Sequence, residues 1–250
     1  MPQSARRTQL QRITLAALFG VCVATGASAQ VRFASHASLI SRMPTTHADG
    51  ITRSITQGRG EVVFILPGRE EPLEAWRGQL AELSERFEVT AVEWTDADLA
   101  DPKAIAARMQ LHGNQPAYVI GEGDGARVAL RLALLYPDRV RSLVLSATDP
   151  RWFARDAAVE AARAGAALPA DVDTLLSASR LGRITVPVLT LTGDRDLRWF
   201  ADNSARGWIR TAREQAIRGT GTQPHLYASI EFNRAVARFL ERQRMTAGAP

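Results

Sequence analysis

Residues 117–133 read Ala117-Tyr118-Val119-Ile120-Gly121-Glu122-Gly123-Asp124-Gly125-Ala126-Arg127-Val128-Ala129-Leu130-Arg131-Leu132-Ala133. Ala117 to Ile120 is a short apolar run, the pattern of a strand covered on both faces. Gly121 to Gly125 alternates glycine with acid, and Ala126 to Ala133 has helical character. A glycine-rich turn between strand and helix lets the helix pack close to the strand, because no Cβ intervenes. The central residue of the turn, Gly123, has no side chain, so it can supply neither nucleophile nor base.

Other segments fall into order around this turn. Glu61-Val62-Val63-Phe64-Ile65-Leu66-Pro67-Gly68 is an apolar strand running into a loop. Arg139 to Leu145 reads as the strand after the turn's helix. Val186 to Asp196 reads as a strand ending in Gly193-Asp194-Arg195-Asp196, and Gly219-Thr220-Gly221-Thr222-Gln223-Pro224-His225-Leu226 is a glycine-rich loop near the C-terminus. Together they resemble the α/β-hydrolase superfamily. Residues 121–125 resemble its nucleophile elbow, Gly-x-Ser-x-Gly, and residues 66–69 its oxyanion loop. The 193–196 segment resembles the acid loop and 219–226 the histidine loop, in the order nucleophile, acid, base. The resemblance spans His47 to Arg242. It implies an α/β fold with a mostly parallel central sheet, helices on both faces and a short lid.

Carried over residue by residue, the resemblance fails at two of three catalytic positions. The nucleophile position is Gly123 and the base position is Thr222, which takes no proton near neutral pH. The acid position is kept as Asp196, with Asp149 at the superfamily's other acid position. His225 lies where members often keep a second, non-catalytic His; its ordinary reading is a loop-fixing residue and its functional reading a displaced base. Asp124 is one residue too late to be an elbow Asp nucleophile. Glu122 is either an acid/base group or a rim carboxylate. The resemblance places the oxyanion pocket at Pro67, Gly68, Arg69, Gly123 and Asp124, built from backbone amides that outlast side-chain loss.

The chain has 250 residues. Its start, with Arg6, Arg7 and Arg12 before an apolar run from Ile13 to Gly26 and Ala27-Ser28-Ala29, is the pattern of a secretory signal. The run is shorter than the roughly 20 residues a bilayer span needs. This predicts a signal peptide over 1–29, export to the periplasm or medium, and no membrane attachment after cleavage. Cys22, the sole cysteine, leaves with the signal, so disulfides and Cys-ligated metals are excluded from the mature chain. The net charge of +5 includes three arginines of that segment, and the remainder balances 28 basic against 26 acidic residues. No basic stripe interleaved with aromatics appears, which speaks against nucleic acid. No metal-ligand spacing or cofactor motif is present.

The remaining expectations concern organisation. Residues 30–46 read as a lead-in, 47–243 as the domain, 148–182 as a reduced Ala-rich lid or a connecting cover, and 244–250 as a tail. Thr45 to Thr56 predicts one edge strand, Glu71 to Phe87 and Asp98 to Leu111 one helix each, Trp199 to Ala216 another, and Ser229 to Gln243 the last. Two readings of function follow. One is a non-catalytic binder of a small molecule or a protein partner; the other is an active hydrolase of esters that uses Asp124 or Glu122 with His225 and Asp196. Glu122 and Asp124 beside the pocket favour a neutral or cationic ligand.

Overall fold

The structure is a computed structural model that describes residues 44–48, 52–154, 156–165, 167, 173–197 and 205–247. The expected signal peptide and nearly all of the lead-in lie outside the described residues. The chain divides into two units at Ala34, and only the second, from Ser35 onward, contains described residues.

An eight-stranded sheet dominates this unit. Its strands in chain order are β1 (Thr45–Ala48), β2 (Arg53–Gly58), β3 (Val62–Leu66), β4 (Glu88–Val92), β5 (Ala117–Glu122), β6 (Val140–Ser146), β9 (Val188–Gly193) and β10 (Ala212–Ile217), with β7 (Phe153–Ala154) and β8 (Asp173–Ser177) paired separately. The spatial order is β1-β2-β4-β3-β5-β6-β9-β10. β1–β2 and β2–β4 pair antiparallel, and every other pair in the sheet is parallel. Parallel neighbours require crossover connections, and helices here supply them.

Alternation along the strands builds two cores. Phe64, Leu66 and Val119 face one side, where Ala126, Val128, Ala129 and Leu132 of the elbow helix (Asp124–Leu135) cover them. Val63, Ile65, Tyr118 and Ile120 face the other, under Trp76, Leu80 and the C-terminal helix (Ser229–Ala247), which contributes Phe232, Val236, Phe239 and Leu240. Each fully buried side chain of this size is worth about 1.5–3 kcal/mol relative to exposure. Period-two alternation assigns Glu122 and Ser146, at the ends of their strands, to the second face.

Several elements depart from the sequence expectation. The 45–56 segment is a pair of strands, with Thr46 opposite Ile55. The helix expected over 71–87 is a 3-10 turn (Leu73–Trp76) followed by an α-helix (Arg77–Leu83). The one expected over 98–111 is split into Asp96–Ala100 and Lys103–Leu111, because Pro102 lacks the amide that would continue the first piece. In 199–216 the described part holds a helix only over Ala205–Trp208 before β10 takes over. The last helix continues to Ala247, four residues past its expected end.

The 148–182 segment has helices at Asp156–Arg163 and Ala178–Leu181, as its composition predicts, and adds the unexpected β7–β8 pair. A buried ion pair ties β8 to the elbow helix. Arg131 grips Asp173 through Nε and Nη2 at 2.8 and 2.7 Å, and the Asp173 side chain is wholly buried. Bidentate geometry of this kind fixes orientation as well as distance.

Two glycines make opposite demands. A Cβ on Gly125 would stand 2.1 Å from the Leu66 carbonyl oxygen, whereas one on Gly78, inside a helix, would meet nothing within 4 Å. Gly125→Ala therefore lowers stability by more than about 2 kcal/mol, a backbone clash, and Gly78→Ala raises it by about 0.5–1 kcal/mol. Chemical denaturation of both variants checks the contrast.

Candidate functional site

The C-terminal ends of β3, β4, β5, β6 and β9 share one rim, where open parallel sheets bind ligands. The elbow sits at its centre. Gly123 has φ 51° and ψ −129°, between the end of β5 and the first turn of the elbow helix. Its amide donates to the Ser146 carbonyl at 3.0 Å. A Cβ built there would find only the Gly68 Cα, at 3.7 Å. The turn therefore keeps a conformation that strains any L-residue, with room for a side chain it does not carry.

The oxyanion loop opposite is a tight turn. The Glu71 amide donates to the Gly68 carbonyl at 3.1 Å, and the Gly68 amide donates back to the Glu71 side chain, Oε2, at 3.1 Å. Of the backbone donors expected here, the Gly68 amide is therefore already engaged by a carboxylate of the chain itself. Asp124 opens the helix, so its amide has no intrahelical acceptor. Pro67 contributes a carbonyl that accepts the Trp94 indole N–H at 2.8 Å.

Sequence reasoning passed over Glu71, which organises this corner. Its Oε2 also accepts the Trp76 indole N–H at 3.0 Å, and its Oε1 lies 2.7 Å from His225 Nε2. The His225 ring stacks on Trp76, centroids 4.3 Å apart and 8° from parallel, and its side chain is fully buried. The Gln79 side-chain amide donates to the His225 carbonyl at 2.9 Å. His225 is thus built into the packing between the oxyanion loop and the C-terminal helix. Its other nitrogen, Nδ1, is buried with no hydrogen-bond partner among the described residues. A Glu five residues before a Trp, with a distant His, has no sequence-local signature that would reveal such a cluster.

The acidic candidates divide. Asp124 accepts from Arg69 Nε at 3.1 Å and from Arg127 Nη1 at 3.2 Å, so both its oxygens are turned to arginines. Arg69 also reaches Asp96, at 2.5 Å, and its guanidinium lies 5.4 Å from the Trp94 ring centroid. Glu122 is buried, with its Oε2 against the Gly68 α-carbon. Asp196 is buried in a turn closed by its amide on the Gly193 carbonyl, and Arg195 donates to the Thr220 carbonyl, so the acid and histidine loops are in contact. Asp149, the other acid position, is buried and gripped by Arg151. Thr222, at the base position, is exposed in the same loop. Among the described residues no group of three or more His, Cys, Asp or Glu converges as metal ligands.

A cleft of about 490 Å³ opens beside the elbow, over the ends of β3 and β4; Arg53, Pro67, Arg69, Glu70, Trp94 and Asp96 are among its walls. That volume lies within the range of small-molecule sites. Among the described residues two non-glycines have positive φ, Glu70 at 62° and Ala147 at 53°, and both stand on this rim. Glu70 occupies the third position of the Gly68–Glu71 turn, where glycine would be unstrained. Strain of this sort costs about 1–3 kcal/mol per residue and gathers at working sites.

Burial pushes the Glu71 carboxyl up, but the donors from His225, Trp76 and Gly68 outweigh it and hold the group below its ordinary value of 4.5. A depressed folded-state value means the stabilisation is complete above about pH 4.5 and is lost as acid titrates the carboxylate in the folded protein. Glu71→Gln is therefore less stable than wild type near neutrality, and the gap narrows below about pH 4. Denaturation curves between pH 3 and 7 measure it, and a gap independent of pH contradicts the assignment.

Residues 61–165 match the sequence family described as the alpha/beta hydrolase fold. A pimeloyl-[acyl-carrier protein] methyl ester esterase of Chromobacterium violaceum is 39% identical over 75 residues, a match spanning 30% of this chain and 29% of the esterase. Among solved structures, a Bacillus subtilis carboxylesterase superposes with TM-score 0.61 at 16% identity, covering 79% of this chain and 91% of that one. An epoxide hydrolase from Vigna radiata gives TM-score 0.60 at 16% identity, covering 82% and 99%. With the sheet order and the elbow turn already in place, these likenesses make the chain an α/β-hydrolase-fold protein.

Proposed function

We propose that this chain is an exported, non-catalytic member of the fold that binds a small molecule at the rim beside its elbow. One observation carries the reading: the elbow at Gly123 keeps its strained backbone, while the histidine of the C-terminal loop, His225, is sealed between Trp76 and Glu71. A base must reach the proton it removes, directly or through one water. A ring with no exposed surface, packed in the second core, does not meet that requirement.

The remaining parts of the site agree. Asp124 is held by two arginines, one on each carboxylate oxygen. An anion already sits on the Gly68 amide, in the form of Glu71. Positive φ at Glu70 and Ala147 speaks for a rim still held in shape for a ligand. Export rests on the N-terminal pattern of residues 1–29 and belongs to the same proposal.

The competing reading is a working hydrolase of esters, the substrate class in the names of the esterase relative and the carboxylesterase neighbour. Glu122 and Asp196, both buried at the rim, are the groups it would use.

Hydrolysis of short activated esters and lactones by the mature chain separates the two. The wild type is expected to be silent, and Gly123→Ser/Thr222→His to gain turnover of at least about a hundredfold over background, roughly the contribution of one restored base at its weakest. Turnover by the wild type that Glu122→Gln or Asp196→Asn abolishes would establish the hydrolase instead.

A further inference from the structure

The cleft over β3 and β4 has an asymmetric charge balance. Of its two arginines, Arg53 is engaged by Glu93 at 2.9 Å and Glu74 at 3.6 Å. Arg69 is engaged by Asp96 and Asp124. Neither cation is left to meet an incoming anion. Of the acids, Glu71 is satisfied by three donors, Glu93 by Arg53 and Asp96 by Arg69. Glu70 remains, with no ion-pair or hydrogen-bond partner among the described residues.

Glu70 is also the strained residue of the wall, at φ 62°. The turn it occupies would accept glycine without cost, so the backbone gives no reason for a glutamate there. The strained position carries the one cleft carboxylate that does nothing for the fold. Facing the same space is Trp94, whose indole N–H is fixed on the Pro67 carbonyl and whose ring already attracts the Arg69 guanidinium. An indole ring and an unpaired carboxylate across one cleft are the elements that recognise organic cations.

We infer that the cleft binds a small organic cation, a primary amine or quaternary ammonium, with Glu70 as its counter-ion and Trp94 as the wall its charge rests on. This rests on the proposed binding function and names its ligand class. The cation would enter beside Arg69, sharing or displacing it at the indole. An anionic ligand would meet Glu70 with no free cation to offset it.

The test uses choline and butylammonium as probes, with 3,3-dimethylbutan-1-ol as the uncharged counterpart of choline and butyrate as the anion. Binding to the full mature chain is read by calorimetry and by the Trp94 indole N–H resonance. Both cations are expected to bind and shift that resonance, and the neutral and anionic probes to do so at least about threefold more weakly. Glu70→Gln, which keeps shape and backbone, should weaken cation binding about three- to tenfold, the scale of one partly solvated charge pair plus its ring contact. Glu82→Gln, on an exposed helix face, should leave it unchanged.

Equal binding of choline and its neutral counterpart, no change in Glu70→Gln, preference for butyrate, or no binding of either cation overturns the inference. Failure here is distinct from failure of the binding function. A neutral or anionic probe that shifts Trp94 leaves a binding protein with a different ligand class. Ester turnover by the wild type removes the non-catalytic reading whatever the cations do.

Discussion

The structure depends on how closely the elbow helix approaches the sheet. Gly125 lies so near the backbone of β3 that a single methyl group would collide with Leu66 and Pro67, and Gly121 stands in the same relation to Ala126. That approach fixes the first turn of the helix against two strands at once. Gly123, between the two contacts, has little freedom left, and its positive φ is the geometric remainder of closing so short a path. The oxyanion loop begins at the carbonyls that Gly125 abuts, so the same contact sets the wall facing the elbow.

Around this fixed centre the polar groups have been given structural work. Glu71 joins the oxyanion loop, the turn at Trp76 and the histidine loop through one carboxylate. Asp124 links Arg69 on one side to Arg127 on the other, and Arg127 and Arg131 run on to Asp173 at the start of β8. Removing one member of a buried pair strands the other, which costs more than the pair contributes. Such networks fix the orientation of the loops they join as well as their distance. A cleft formed in advance spares any ligand the cost of ordering it.

Most of the fold was legible because periodicity and punctuation agreed. The apolar runs at 62–66, 117–120 and 143–145 lie in strands, and the glycines at 121–125 sit where a turn must be tight. The errors came where local signals were weak. Pro102 splits a pattern that reads as continuous helix, and the β7–β8 pair lies in an Ala-rich stretch whose composition favours helix. The site was half legible. Glycine at position 123 is plain in the sequence, and so is the absence of His at 222. The fate of His225 was not, since its partners Glu71 and Trp76 are some 150 residues away and only the fold brings them together. Glu70 was equally hidden, because a positive φ at a charged residue has no compositional mark.

Packing around Gly121 and Gly125, not glycine's freedom, imposes the elbow conformation at Gly123. Chemical denaturation of Gly123→Ser tests it most directly. The space is open, so no clash interferes, and the strain a side chain must accept should cost about 1–3 kcal/mol. Unchanged or increased stability would mean that the turn relaxes to suit the residue, and the conformation at Gly123 would then be glycine's own and not one imposed by its neighbours.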